Sequence, residues 1–433
     1  MTISPSSRLP FSGRIIFCCA LAFFASTSPL HANIPPAYGG ETPPAELLPA
    51  PGQSMRVDLL TIDPGVEFYS VWGHTALRIY DERTGRDVVF DYGMFQPDEM
   101  FLIKFLHNQP AYLLWVTSFT HTKALYGRLN RTIYAQQIHM DDAEAEELLR
   151  RLAINSLPQN RVYRYHHYFN NCTTKVRDIL DETYFDGQFQ KHYSEDFNDV
   201  SFRGLADAGL TYDPPYWLAI NLIQGTLVDR PVSAWEEMFL PRGLMAYLNE
   251  YRQSELAGAE RIGPIQLVQA APQPIDERSV VVPWLIVIAL GTLITLAFYV
   301  WPAFAVRKRP GHKAARILGQ IGRVLWYGGA GFIGLILAIL WFYAEQDSLD
   351  NNINLLAYPP VLLLWPVFYL IGRGRAWWPR LNLQLHLFFL AWPVLGCLLV
   401  LTTIHPQLAG LIFLLPSLIV HCAMYLFLKH RAG

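Results

Sequence analysis

Thiols are scarce where this sequence would need them to pair. Of five cysteines in 433 residues, Cys18 and Cys19 lie in an apolar N-terminal run and Cys397 and Cys422 in apolar C-terminal segments. Cys172 stands alone between them, so that region has no internal disulfide and no set of thiolates for a structural zinc. His107, His121, His139 and His192 show no zinc-ligand spacing either, and neither a metal nor another cofactor is expected. Charge is also short: Asp, Glu, Lys and Arg make up 16% of the chain and the formal net charge is −2. No basic surface results, and no nucleic-acid partner is expected. No internal repeat is visible.

What is abundant is apolar surface, at 52% of residues with 14% aromatic, and the C-terminal third holds most of it. Five apolar segments lie near residues 280–306, 317–344, 355–372, 383–404 and 408–428, several of them long enough to span a bilayer. Arg307, Lys308, Arg309, Lys313 and Arg316 fall in one connection, Arg373, Arg375 and Arg380 in another, and Lys429, His430 and Arg431 at the end. The intervening connections carry Glu345, Asp347 and Asp350, or only HPQ. Alternation of basic connections predicts a cytoplasmic C-terminus and an exported N-terminal region. The N-terminus agrees: Arg8 and Arg14 precede the apolar run Ile15–Ala25, and SPLHA offers cleavage after Ala32. The expected organisation is a signal peptide (1–32), an extended Pro/Gly/Ala-rich leader (33–53), an exported α+β domain (54–262), a linker (263–279) and a five-helix transmembrane domain (280–433). A bacterial inner-membrane protein with its N-terminal domain in the periplasm is the expectation.

An unpaired cysteine in an oxidising compartment is either a buried small side chain or a reactive thiol. Its surroundings read YRYHHYFNNCTTKVRDILDETYF. Val176, Ile179, Leu180 and Tyr184 recur at helical spacing after it, and Asn171 is a good N-cap, so Cys172 opens a helix. A thiol there meets the positive end of the helix dipole, which favours thiolate. Free first-turn N–H groups could also hold an oxyanion. The candidate base is His74, in WGHTALRIYDERTGRDVVFDYG. Thr75–Tyr80 and Val88–Tyr92 read as the strands of a hairpin around DERTGRD, with His74 at the head of the first. Asp91, or a nearby backbone carbonyl, could orient the ring. Asn171, His167 and Thr173 are the expected supporting residues. The adjacent His166 and His167 would point to opposite faces of a strand. Asp141, Asp142, Glu144, Glu146 and Glu147 read as an acidic helix start. FLIKFLHNQPAYLLWVTSF and PPYWLAINLIQG are apolar stretches that either meet the membrane interface, line an acyl groove or form core helices.

With histidine on a hairpin followed by Asn-Cys at a helix start, the sequence resembles the circularly permuted branch of NlpC-type papain-like enzymes, which includes relatives of lecithin–retinol acyltransferase. More closely it resembles the Lnb family of bacterial lipoprotein N-acyltransferases. The resemblance rests on GHTALRIYD, FDYGMFQPDEMFLIKFLHNQPAYLL, YRYHHYFNNCTTKVRDIL, GTLVDRPVSAWEEMFLPRGL and LDNNINLLAYPP. It implies Cys172 as nucleophile, His74 as base and Asp91 in the third position. It also implies acyl transfer from a phospholipid or diacylglyceryl group to an amine, with membrane phospholipid and lipoproteins as partners. A histidine is implied before the Asn-rich stretch, but this chain has none in AEQDSLDNNINLL. The residues alone leave two other readings open: a hydrolase (peptidase, amidase or lipid deacylase) using the same pair, and a non-enzymatic envelope protein.

Overall fold

The computed structural model describes residues 55–67, 69–95, 111–210, 214–254, 261–272, 289, 293–294, 296–309, 312–402 and 418–422. The expected signal peptide and leader lie outside them, as do about half of the first apolar segment and most of the fifth.

The N-terminal region is built on a seven-stranded sheet in the order β6-β4-β3-β2-β1-β5-β9. Its strands are β1 (Met55–Ile62), β2 (His74–Asp81), β3 (Arg86–Phe95), β4 (Ala111–Ser118), β5 (Ile133–Ile138), β6 (Val162–Arg164) and β9 (Ile262–Gln269). All neighbours run antiparallel. The short strands β7 (Phe197–Ser201) and β8 (Pro231–Ser233) form a separate ribbon.

Alternation along the strands covers both faces of the large sheet. Val57, Leu59, Leu77, Ile79, Val88 and Phe90 face the main core, with Val176, Ile179 and Leu180 of helix Cys172–Leu180. Leu148 and Leu152 of helix Asp142–Ser156, and Leu244 and Leu248 of helix Pro241–Gln253, complete that core. Leu60, Ile62, Ala76 and Val89 point the other way, against Phe119 and Tyr126 of helix Phe119–Arg128. The acidic segment is a helix start as expected, with Asp141 and Glu144 closing a capping box.

Two expectations are corrected here. Residues 263–279 are not all linker, because Ile262–Gln269 pairs with β5 and extends the sheet by one strand. Its Gly-Pro and Ala-Pro neighbours suggested a loose chain, but an edge strand tolerates proline where no ladder donor is required. The AYLLWVTS part of the apolar stretch before helix Phe119–Arg128 is a strand, not a helix. A short apolar run has no period that separates the two.

The C-terminal region is helical. Lys313–Tyr343 is the one described helix long and apolar enough to cross a membrane. Asp347–Ala357 and Pro360–Gly372 together would make a second, broken by a 49° bend at the prolines. Helix Trp378–Thr402 follows. Ile317, Ile321, Val324, Phe332, Leu335, Ile339 and Phe342 recur along Lys313–Tyr343 and are all exposed. Inside the bundle, Asn382 joins neighbours: its side-chain oxygen accepts from Trp365 Nε1 at 2.9 Å and its carbonyl from His386 Nδ1 at 2.7 Å.

Candidate functional site

Cys172 is the first residue of its helix. The side chain of Asn171 accepts from the N–H groups of Thr173 (2.8 Å) and Thr174 (2.9 Å), while Thr174 Oγ1 accepts from the Asn171 N–H at 2.8 Å. Asn171 also uses its amide hydrogens, donating to the carbonyls of His167 (2.7 Å) and Phe239 (2.9 Å). The cap is therefore fixed from both sides and is buried. Because Thr173 and Thr174 N–H serve Asn171 and Lys175 N–H serves the Asn171 carbonyl, the Cys172 N–H is the first-turn donor left for a ligand.

His74 opens β2, opposite the last residue of β1. Its ring Nε2–H donates to Asp91 Oδ1 at 2.7 Å, and the Gly93 N–H donates to the same oxygen at 2.8 Å. Of the two orienters open from sequence, the structure places the Asp91 carboxylate on the ring. Asp91 faces Ala76 in the β2–β3 register and Trp115 in the β3–β4 register, which shifts between Asp91 and Met94. That bulge folds the backbone back toward the carboxylate. A Cβ at Gly93 would lie 2.2 Å from His74 Cε1; only glycine leaves the ring its position.

The thiol lies against this pair. Burial opposes charge on Cys172, but attraction and hydrogen bonding from His74, with the Thr75 backbone, hold its pKa below the ordinary thiol value. Burial likewise opposes charge on His74, yet Asp91 and Cys172 outweigh it and push its pKa up to about 10. Asp91 is held below the usual carboxylate range against its burial by His74, the Gly93 N–H and Arg131. The arrangement favours a thiolate beside an imidazolium that a carboxylate holds in place. Such a group is an activated nucleophile with its proton donor attached.

Thr173 ties the two halves together through a 3.1 Å hydroxyl contact with Thr75. His167 lies beside the cap of the cysteine helix. Its Nδ1 meets the Tyr165 hydroxyl at 3.2 Å, its ring packs 4.3 Å from Trp72, and burial with the neighbouring His166 pushes its pKa down to about 3. It serves the site as a neutral ring and through its carbonyl, which Asn171 uses. His166 turns away and bonds Asp347 across the chain at 2.8 Å.

Sequence reasoning missed Gly93, Tyr126 and Arg131. Tyr126 packs 6.2 Å from the His74 ring and hydrogen-bonds Asp91. Arg131 lies over the Tyr126 ring at 5.0 Å and donates to the Asp63 carbonyl at 2.6 Å. Gly93 had a signal, a glycine inside a strand pattern beside the proposed orienter. Tyr126 and Arg131 had none, since they arrive from the opposite side of the sheet.

No curated protein and no solved structure matches the chain. Residues 50–205 match the Lnb N-terminal periplasmic domain, and His74, Asp91 and Cys172 all fall inside that span. Over those residues, which lie within the first half of the chain, the protein is similar to the periplasmic domain of the Lnb-type family.

Proposed function

We propose that this protein is a membrane-bound cysteine acyltransferase that carries an acyl chain from a phospholipid or diacylglyceryl donor, through a Cys172 thioester, to the amino terminus of lipoproteins. The observation that carries the reading is the alignment of Cys172, His74 and Asp91 at the start of a capped helix. In the first half-reaction the Cys172 thiolate attacks the ester carbonyl. The C–S bond forms, the Cys172 N–H faces the developing oxyanion, and the alkoxide leaves with the proton of His74. In the second, an amine attacks the thioester, His74 takes the amine proton, and the thiolate departs as the amide forms. Asp91 keeps the ring aligned and stabilises its charged state.

The helical region supports a lipid donor. The exposed apolar stripe along Lys313–Tyr343 suits hydrocarbon better than water, and the periplasmic domain family and this helix are consistent with an inner-membrane protein. The five spans, the exported signal and the cytoplasmic C-terminus read from the charge pattern belong to this proposal. Acyl transfer, rather than hydrolysis by the same pair, follows from the family likeness and the membrane region.

The test is mass spectrometry of lipoprotein N-termini from cells whose only such activity is this protein. N-acylated termini are expected with the wild type and should be absent with Cys172→Ser or His74→Ala at normal abundance. Identical acylation with and without the active protein would overturn the transferase reading, and full turnover in either variant would overturn the pair.

A further inference from the structure

We propose that the segment Asp347–Asn354 is a docking clamp that fixes the mouth of the Cys172 site at the bilayer surface, so that the thiol is reached from the lipid side. The inference rests on the membrane-bound thiol-enzyme reading and adds how the two regions are coupled. Helix Lys313–Tyr343 ends in Phe342 and Tyr343, both largely exposed, the kind of aromatic end that sits at a membrane–water boundary. Asp347 follows four residues later, so the clamp lies beside that boundary.

Its grip on the exported domain is specific. A helix leaves its last carbonyls without partners, and those of helix Pro214–Ile223 are taken by this distant segment. Asn352 Nδ2 donates to the carbonyls of Leu222 and Ile223, each at 2.9 Å. Asn354 Nδ2 donates to those of Asn221 (3.2 Å) and Leu222 (3.0 Å). Both asparagines are almost fully buried. The next residues of the domain continue the pairing, with Gly225 N–H donating to the Ser348 carbonyl at 2.8 Å and Thr226 N–H to the Asp350 carbonyl at 3.2 Å. Contact at Gly225 is so close that a Cβ there would lie 1.6 Å from the Asp350 oxygen.

A second contact leads to the nucleophile. His166 Nε2–H donates to Asp347 Oδ1 at 2.8 Å, and its Nδ1 accepts from the Tyr168 (3.3 Å) and Phe169 (3.2 Å) N–H groups. The His166 and Asn170 backbones exchange two hydrogen bonds of 2.9 Å. This small loop, closed around the His166 ring, ends at Asn171, the cap of the cysteine helix. Phe169 stacks on that ring at 4.8 Å and is 39% exposed. Asp347 therefore pins the loop that delivers Cys172, and His166 is a positioning residue rather than a catalytic one.

The test compares two thiol reagents on the full chain in vesicles of phosphatidylethanolamine and phosphatidylglycerol, with modification at Cys172 read by peptide-resolved mass spectrometry. One reagent is iodoacetamide, which arrives from water; the other is a long-chain N-alkyl maleimide dissolved in the bilayer. Gly225→Ala is the informative variant. The φ of Gly225 is −90°, which alanine adopts freely, and the three atoms nearest an added Cβ all belong to Asp350 of the clamp. Gly204→Ala, where a Cβ meets only Ser201 Oγ at 3.6 Å, is the control.

In the wild type and the control both reagents should label Cys172. In Gly225→Ala, labelling by the bilayer reagent should fall several-fold while labelling by iodoacetamide stays unchanged. If Gly225→Ala does not accumulate, Asp347→Ala combined with Asn352→Ala carries the same expectation. Unchanged labelling by the bilayer reagent in the clamp variants overturns the inference. So does wild-type labelling from water alone, which leaves the nucleophile reading intact. Failure of both reagents to label the wild type would sink the thiol-enzyme reading, and the clamp's role with it.

Discussion

At Gly93 the missing side chain decides where the His74 ring can sit. His74 fills the space a Cβ would occupy, with Asp91 and the Gly93 N–H holding the far side of the same contact. The charge state follows from that geometry. Cys172 has a depressed pKa and His74 a raised one near 10, so the thiolate persists to pH values below those at which a free thiol ionises. It is lost as pH falls through its own lowered pKa, while the acid needed for the leaving group is lost as pH rises through about 10. Iodoacetamide alkylation of Cys172 measured against pH should show this early onset. His74→Ala should move the onset up toward the free-thiol value of about 8.5, and Gly93→Ala should move it the same way by displacing the ring. An unshifted Gly93→Ala profile would mean that the ring does not need this space. Asp91→Ala should slow turnover without abolishing it, because the Cys172–His74 contact survives its loss. Steady-state kinetics beside His74→Ala would show this as the milder of the two defects.

Among the elements, the cysteine helix depends on one residue before it. Asn171 satisfies two first-turn donors with its oxygen and two carbonyls from other segments with its nitrogen. Loss of a cap alone costs about 1 kcal/mol. Because buried His167 and Phe239 carbonyl contacts go as well, Asn171→Ala should destabilise the domain by about 2 kcal/mol. Asn171→Ser keeps a capping acceptor and loses the amide donors without adding charge, so its loss should be smaller in the same denaturation measurement. Equal losses would place the energy in the nitrogen's contacts and not in the cap.

Across the whole molecule, the proposed topology puts Cys172 outside the cytoplasm and the connection holding Arg309 inside. A membrane-impermeant maleimide added to intact spheroplasts should label Cys172. With Arg309→Cys in a Cys172→Ser background, labelling should appear only after the membrane is opened. Labelling of Arg309→Cys in intact spheroplasts would reverse the orientation read from the charges.

Local rules made much of this readable from sequence. Period-two alternation around DERTGRD places His74 at the head of a hairpin, and Asn-Cys before a helical repeat places the thiol at a helix start. Those are properties of neighbours in the chain, set by backbone geometry and capping. The β9 strand read as a linker because its pairing partner, β5, is more than a hundred residues away and leaves no trace in the local pattern. Tyr126 and Arg131 were hidden for the same reason. Adjacency points His166 away from His167, but its partner Asp347 lies 181 residues along the chain and could not be read locally. Sequence by itself determined which groups could do thiol chemistry and which segments could meet lipid. Only the tertiary structure decided that Asp91 holds the ring, that Gly93 makes room for it, and that a loop beyond the apolar helix grips the domain carrying the thiol. Each of those is a contact between surfaces that no local pattern encodes.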